Sequence, residues 1–232
     1  MAAKKVTRKQ LLREPDEFIT FTGRAIAFSR EHGNTLAAVV GVLVAVGLLL
    51  TGIGWYHSRT RTKAMELYEQ ATARLAGAEQ AGKAGPEALA AVEKDLQMIL
   101  DQYGDTPAGA LALMTMGDVA YEKGDFPGAA KRYEQAVEKF TEDPMSLALA
   151  QNGLAHSLEA AGELDRALSA YQSVMQGPNK ALAQDASFRA AMVLKAQGKT
   201  QEAQKALADF AEQYPDSPFA QVAREELTSL GG

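Results

Sequence analysis

The sequence predicts an all-α chain: a single N-terminal transmembrane helix, then a helical solenoid of about four helix pairs closed by a capping helix. Three observations carry this. No charged residue falls between Gly33 and Tyr56. Beyond Arg59, apolar positions recur with helical period, alanine is plentiful and β-branched runs are few. One phrase also repeats: Y-G-D-T-P at 103–107, F-T-E-D-P at 140–144 and Y-P-D-S-P at 214–218, with aromatics 37 and then 74 residues apart, the second spacing twice the first.

The chain divides into a basic tail (1–33), a spanning segment (34–56) and a solenoid domain (59–232). The tail holds seven basic and four acidic residues, net +3, and the remainder seventeen and twenty-five, net −8. Thr35–Tyr56 as helix has 22 residues, about 33 Å long, which matches a hydrocarbon core of about 30 Å. Trp55 and Tyr56 close it as an interfacial aromatic pair. The tail is too long for the charged start of a secretory signal, and no small-residue cleavage site follows, so the expectation is an uncleaved anchor. The basic tail places the N-terminus in the cytoplasm and the solenoid outside the inner membrane. Phe18, Ile19, Phe21, Ala25, Ile26 and Phe28 form an apolar stripe that suits either a helix lying in the membrane surface or a lead-in to the span. Ala37, Gly41 and Ala45, four apart, offer a small-residue face where a second membrane helix could approach, including one from another copy.

The recurring phrase is punctuation. Its aromatic (Tyr103, Phe140, Tyr214) ends one helix. Thr106, Asp143 or Ser217 then stands ready to cap the next, and Pro107, Pro144 or Pro218 opens it where a missing N–H costs nothing. Where a further copy is due, Gly177-Pro178-Asn179 breaks the chain instead. Between these stops, residues 116–136, 154–174 and 190–210 align. Gly117, Ala155 and Ala191 coincide, as do the turn glycines Gly124, Gly162 and Gly198. So do Ala129, Ala167 and Ala203, followed four residues later by Tyr133, Tyr171 and Leu207. Small residues suit the close crossing of two antiparallel helices, and the large residue fills the groove beside it.

This is the tetratricopeptide-repeat (TPR) pattern, whose period is about 34 residues; here it runs 36–38. The first aromatic of the consensus is replaced by Leu113, Gln151 and Ser187. A weaker unit precedes: a helix from about Arg61 to Ala81, a turn at Gly82–Pro86, and a helix over Pro86–Tyr103. A capping helix is expected over Pro218–Leu230.

Catalytic chemistry finds no footing. The chain has no cysteine, so thiolate catalysis, disulfides and zinc–sulfur sites are excluded. His32, His57 and His156 show no metal-ligand spacing, and no nucleophile elbow, P-loop or dinucleotide fingerprint occurs. The acidic body argues against nucleic acid. The reading is therefore a non-enzyme without cofactor or metal, acting through a surface. On the concave face of such a solenoid the candidate lining is Met114, Asp118 and Tyr121, then Asn152, His156 and Glu159, then Phe188, Met192 and Lys195. Some TPR domains clamp a terminal carboxylate with Lys and Asn; Met114 and Asp118 stand at those places here. The mixed apolar and acidic lining suits a hydrophobic or basic segment.

The stretch F-S-R-E-H-G-N-T-L-A-A-V-V-G (28–41), the closing G-W-Y, and Ala64, Tyr68 and Ala71 after it resemble the ancillary SecYEG translocon subunit family, the YfgM-like single-span TPR proteins of bacterial inner membranes. The resemblance implies a TPR domain in the periplasm beside the Sec translocon, contacting chaperones and exported chains. Y-P-D-S-P-F-A-Q-V-A (214–223) also resembles envelope TPR proteins that coordinate cell division or outer-membrane assembly. A self-assembling membrane scaffold through Ala37, Gly41 and Ala45 is a further alternative.

Overall fold

Helix starts and stops follow from local chemistry. The computed structural model describes residues 23–24, 26, 28–80, 85–140 and 143–231. In chain order the helices are α1 (Gly33–Gln80), α2 (Pro86–Tyr103), α3 (Pro107–Glu122), α4 (Phe126–Lys139), α5 (Pro144–Ala160), α6 (Leu164–Met175), α7 (Lys180–Ala196), α8 (Thr200–Gln213) and α9 (Ala220–Gly231). No strand occurs among the described residues.

Thr106 caps α3 by accepting from the Gly109 amide, and Asp143 caps α5 by accepting from the Met145 and Ser146 amides; each is followed by proline in the first turn. The Gly177-Pro178-Asn179 break works through Asn179, whose side chain accepts from Ala181 N at 3.0 Å and Leu182 N at 3.1 Å. At the first helix of the second, third and fourth pairs the C-terminal device is the same. Gly124, Gly162 and Gly198 sit at φ of 77°, 77° and 74°. Their amides donate to Tyr121, Glu159 and Lys195 carbonyls, and the next amides reach Ala120, Leu158 and Leu194. Those paired bonds make three Schellman motifs, which need a left-handed residue that glycine adopts without strain.

Two elements differ from expectation. The structure describes one helix from Gly33 through Gln80, with no break after the apolar segment. From Trp55 to Ala76 the sequence holds neither glycine nor proline, so nothing there terminates a helix. At the other end, Ser217 accepts from Phe219 N at 3.2 Å, but Pro218 and Phe219 form a turn and α9 begins at Ala220. Phe219 is engaged in stacking on Phe188, with ring centroids 4.9 Å apart, which holds that residue in the turn.

By contacts the chain forms two compact units, Met1–Ser58 and Arg59–Gly232. In the first, α1 contributes a helix long and apolar enough to cross a membrane. Its apolar side chains, Val39 to Tyr56 among them, are exposed. Ala37, Gly41 and Ala45 are exposed on it, and a methyl group on Gly41 would meet nothing within 4 Å. Phe28 stacks on His32 at 4.5 Å. Phe18, Ile19, Phe21 and Ala25, most of the basic tail, and the centre of the Gly82–Pro86 turn lie outside the described residues.

The second unit is an all-helical TPR-like solenoid. Ala129, Ala167 and Ala203 are fully buried, as are Ala155 and Ala191, and Tyr133, Tyr171 and Leu207 fill the adjoining space. From α2 onward each helix packs on the next, and α3–α5 and α5–α7 also touch. The first helices of successive pairs therefore form the inner layer, which lines the concave face. At the end of the stack Ala220 and Ala223 of α9 turn inward, while Gln221, Arg224, Glu225 and Thr228 are exposed, the polar outer face a capping helix requires.

Candidate functional site

Between α3 and α5 the inner layer opens into a groove of about 540 Å³. Its walls are Met114, Asp118 and Tyr121 from α3, and Leu149, Asn152, Gly153 and His156 from α5. Spacings of three and four residues put Met114, Asp118 and Tyr121 on one face of α3, and Leu149, Asn152, Gly153 and His156 on one face of α5. The floor is Tyr133 of α4.

Tyr133 reaches the groove because two glycines let it. A methyl group built on Gly153 would lie 2.5 Å from its Cζ and 2.8 Å from its Cδ1, and one on Gly117 would lie 2.9 Å from its Cζ. The ring is thus held between the backbones of α3 and α5, and its hydroxyl donates to Asp118 Oδ1. Asp118 is exposed along the groove, yet the crowding walls raise its carboxyl pKa; the Tyr133 bond acts against that rise. Burial and the neighbouring carboxylate push the Tyr133 hydroxyl far up, so it remains a donor.

One repeat on, the same geometry recurs with different chemistry. Tyr171, fifteen residues after His156 as Tyr133 is after Asp118, lies 3.1 Å from His156 Nδ1 and donates to Glu159 Oε2 at 2.5 Å. His156 Nε2 faces Asp185 Oδ2 of α7 at 3.5 Å. Arg189 lies 3.9 Å from Glu159 and 3.8 Å from Asp185. The His156 hydrogen bond first, and the Arg189 charge, hold the Asp185 carboxyl below its usual range against the effect of burial.

The structure does not bring the third trio into this groove. Phe188 is buried, tilted against Phe210 and stacked on Phe219; Met192 packs in the same cluster; Lys195 is ion-paired with Glu226 of α9. The capping segment occupies the face these residues would have offered. Leu149, Gly153 and the hydroxyl of Tyr133 are the groove features that sequence reasoning missed. The signal for Tyr133 was the choice of Tyr rather than Phe at a core position, since a buried hydroxyl needs a polar partner.

Among the described residues no group of three His, Asp or Glu is placed to hold a metal. Residues 27–230 match the family described as tetratricopeptide repeat-like domain. The chain belongs to that family. Such TPR-like chains are in general protein–protein interaction scaffolds, and that coarse description applies here. No curated protein matches the sequence.

Solved TPR structures share the fold. A tetratricopeptide repeat protein from Parabacteroides merdae aligns with a TM-score of 0.58 at 17% identity, over 72% of this chain and 61% of its own. The apo form of RapI gives 0.54 at 14%, over 72% and 62%. The nearly identical TPR-like repeats of a Podosopora anserina kinesin light chain give 0.55 at 16%, over 73% and 86%. The match thus spans about three fifths of the first two structures. In TPR terms, the α3–α5 groove belongs to the concave face of the second and third helix pairs, and the α9 cap closes the fourth.

Proposed function

We propose that the protein is a membrane-anchored TPR adaptor. Residues 34–56 cross the inner membrane once, the basic tail 1–33 is cytoplasmic, and the solenoid 59–232 stands in the periplasm. There it binds a segment of a protein partner, as an ancillary subunit of the Sec translocon that links it to periplasmic chaperones and exported chains. The observation that carries the reading is one chain joining a helix long and apolar enough to span a membrane to a repeat domain with an open groove. Met114, Asp118, Tyr121, Asn152 and His156 are the proposed contact residues, with Glu159 beside them. Phe188, Met192 and Lys195 join only where α9 is displaced.

The test has two parts. With no cysteine in the chain, Ser229→Cys on exposed α9 provides a single thiol. A membrane-impermeant maleimide should label it in intact cells; labelling only after lysis puts the domain in the cytoplasm and ends the reading. Cross-linking in intact cells should then recover translocon or periplasmic chaperone subunits. Recovery of cell-division proteins alone would overturn the translocon assignment.

A further inference from the structure

The groove's own hydrogen-bond accounting indicates what it lacks. Glu159 and Asp185 share Arg189, Asp185 also faces His156, and Glu226 has Lys195. Asp118 differs. Its partner is the neutral hydroxyl of Tyr133, and among the described residues no Lys, Arg or His forms an ion pair with it. Across the groove the Asn152 side-chain oxygen is buried without a hydrogen-bond partner. Asp118 and Asn152 both line this groove, so a charged acceptor and an amide oxygen without a partner belong to the same walls. An acceptor without a partner is costly, and a carboxylate is bound more strongly by a charged donor than by a neutral one, so a cation carrying several N–H groups suits both. An anionic ligand would meet Asp118 with no cation to balance it. Around the pair, Tyr121 and Leu149 are 39% and 43% exposed, so the ligand also presents apolar surface.

We infer that the α3–α5 groove reads a basic residue of its peptide, with the ammonium or guanidinium seated at Asp118 and Asn152 and the flanking apolar side chains on Met114, Tyr121 and Leu149. This rests on the groove being a peptide site, as proposed above. Arg suits the geometry better than Lys because its planar fork can donate to two acceptors at once. Desolvation by the groove walls raises the Asp118 carboxyl, and only the Tyr133 hydrogen bond acts against it.

The experiment is selection of a random-peptide phage library on full-length protein in mild detergent, for wild type and Asp118→Asn. The amide keeps an oxygen to accept from Tyr133, removes the charge and turns the second acceptor into a donor, which repels a bound cation. Wild type should select peptides with Arg or Lys between apolar residues, and Asp118→Asn should lose that preference. A selected peptide should bind Asp118→Asn about tenfold or more weakly, the scale of a charged hydrogen-bonded pair broken. The same peptide with Gln for the basic residue should bind both proteins equally. Peptides selected without basic enrichment, or bound equally by Asp118→Asn, overturn this inference and leave the groove reading standing. If no peptide is selected, both fall.

Discussion

Gly153→Ala tests the packing on which the groove depends. The added methyl would lie 2.5 and 2.8 Å from Cζ and Cδ1 of Tyr133, against an optimum of about 3.5–4.0 Å between carbons. The ring must therefore shift by roughly 1 Å. Its retreat is limited by the Gly117 backbone on the other side, which lies so close that a methyl group built there would sit 2.9 Å from the ring. Overpacking of this kind costs about 1–3 kcal/mol. A ring that swings away also loses the hydroxyl bond to Asp118, about 1 kcal/mol more. Against this, Ala in a helix interior gains about 1 kcal/mol over Gly. The balance is a net loss of about 1–3 kcal/mol, or roughly 3–10 °C in melting temperature for a unit of this size. The assay is thermal unfolding of the full-length protein in detergent, followed by far-UV circular dichroism. In a Tyr133→Leu background the same substitution should become neutral or stabilising. If Gly153→Ala alone melts at or above wild type, Tyr133 is not wedged and this account of the groove floor is wrong.

Other outcomes follow from the same structure. Gly162→Ala forces a methyl group into φ of 77° and should lower stability by about 1–2 kcal/mol. Gly162→Asn should lose less, since Asn tolerates that conformation; equal losses would refute the Schellman assignment. The Asp185 carboxyl is held low, so its contribution is complete above the unfolded-state value of about 3.9. It is lost as pH falls through the folded value, and Asp185→Asn should flatten that acid limb of the stability profile. Asp118 behaves oppositely. Its carboxyl is raised, so ionisation in the fold costs stability, a cost that develops as pH rises through the unfolded and then the folded value. Asp118→Asn should therefore melt no lower than wild type at neutral pH, and a clear drop would contradict the desolvation argument.

Local signals determined much of this protein. Helix starts at Thr106 and Asp143 need only a side-chain oxygen, a proline and the next two or three amides. The turns at Gly124, Gly162 and Gly198 need only a residue free to adopt positive φ. Because each pair repeats the same crossing, register alone puts Met114, Asp118, Tyr121, Asn152 and His156 on the inner helices, and the structure brings all five into one groove. The sequence alone likewise determined the apolar segment after the basic tail, since length and absence of charge are properties of a contiguous run. What tertiary structure decided involves partners far apart in the chain. Phe188, Met192 and Lys195 share the inner register, but Phe219 and Glu226 of the capping segment, about thirty residues later, take them up. Tyr133 reads as core filler until the glycines of two other helices let its hydroxyl meet Asp118. Which carboxylate keeps a cation and which does not depends on where Arg189 of α7 reaches across to α5. Capping and turn chemistry is settled within a few bonds of backbone, so it can be read along the chain. Ion pairing and groove closure depend on side chains from different helices meeting at 3–4 Å, which only the packed solenoid specifies.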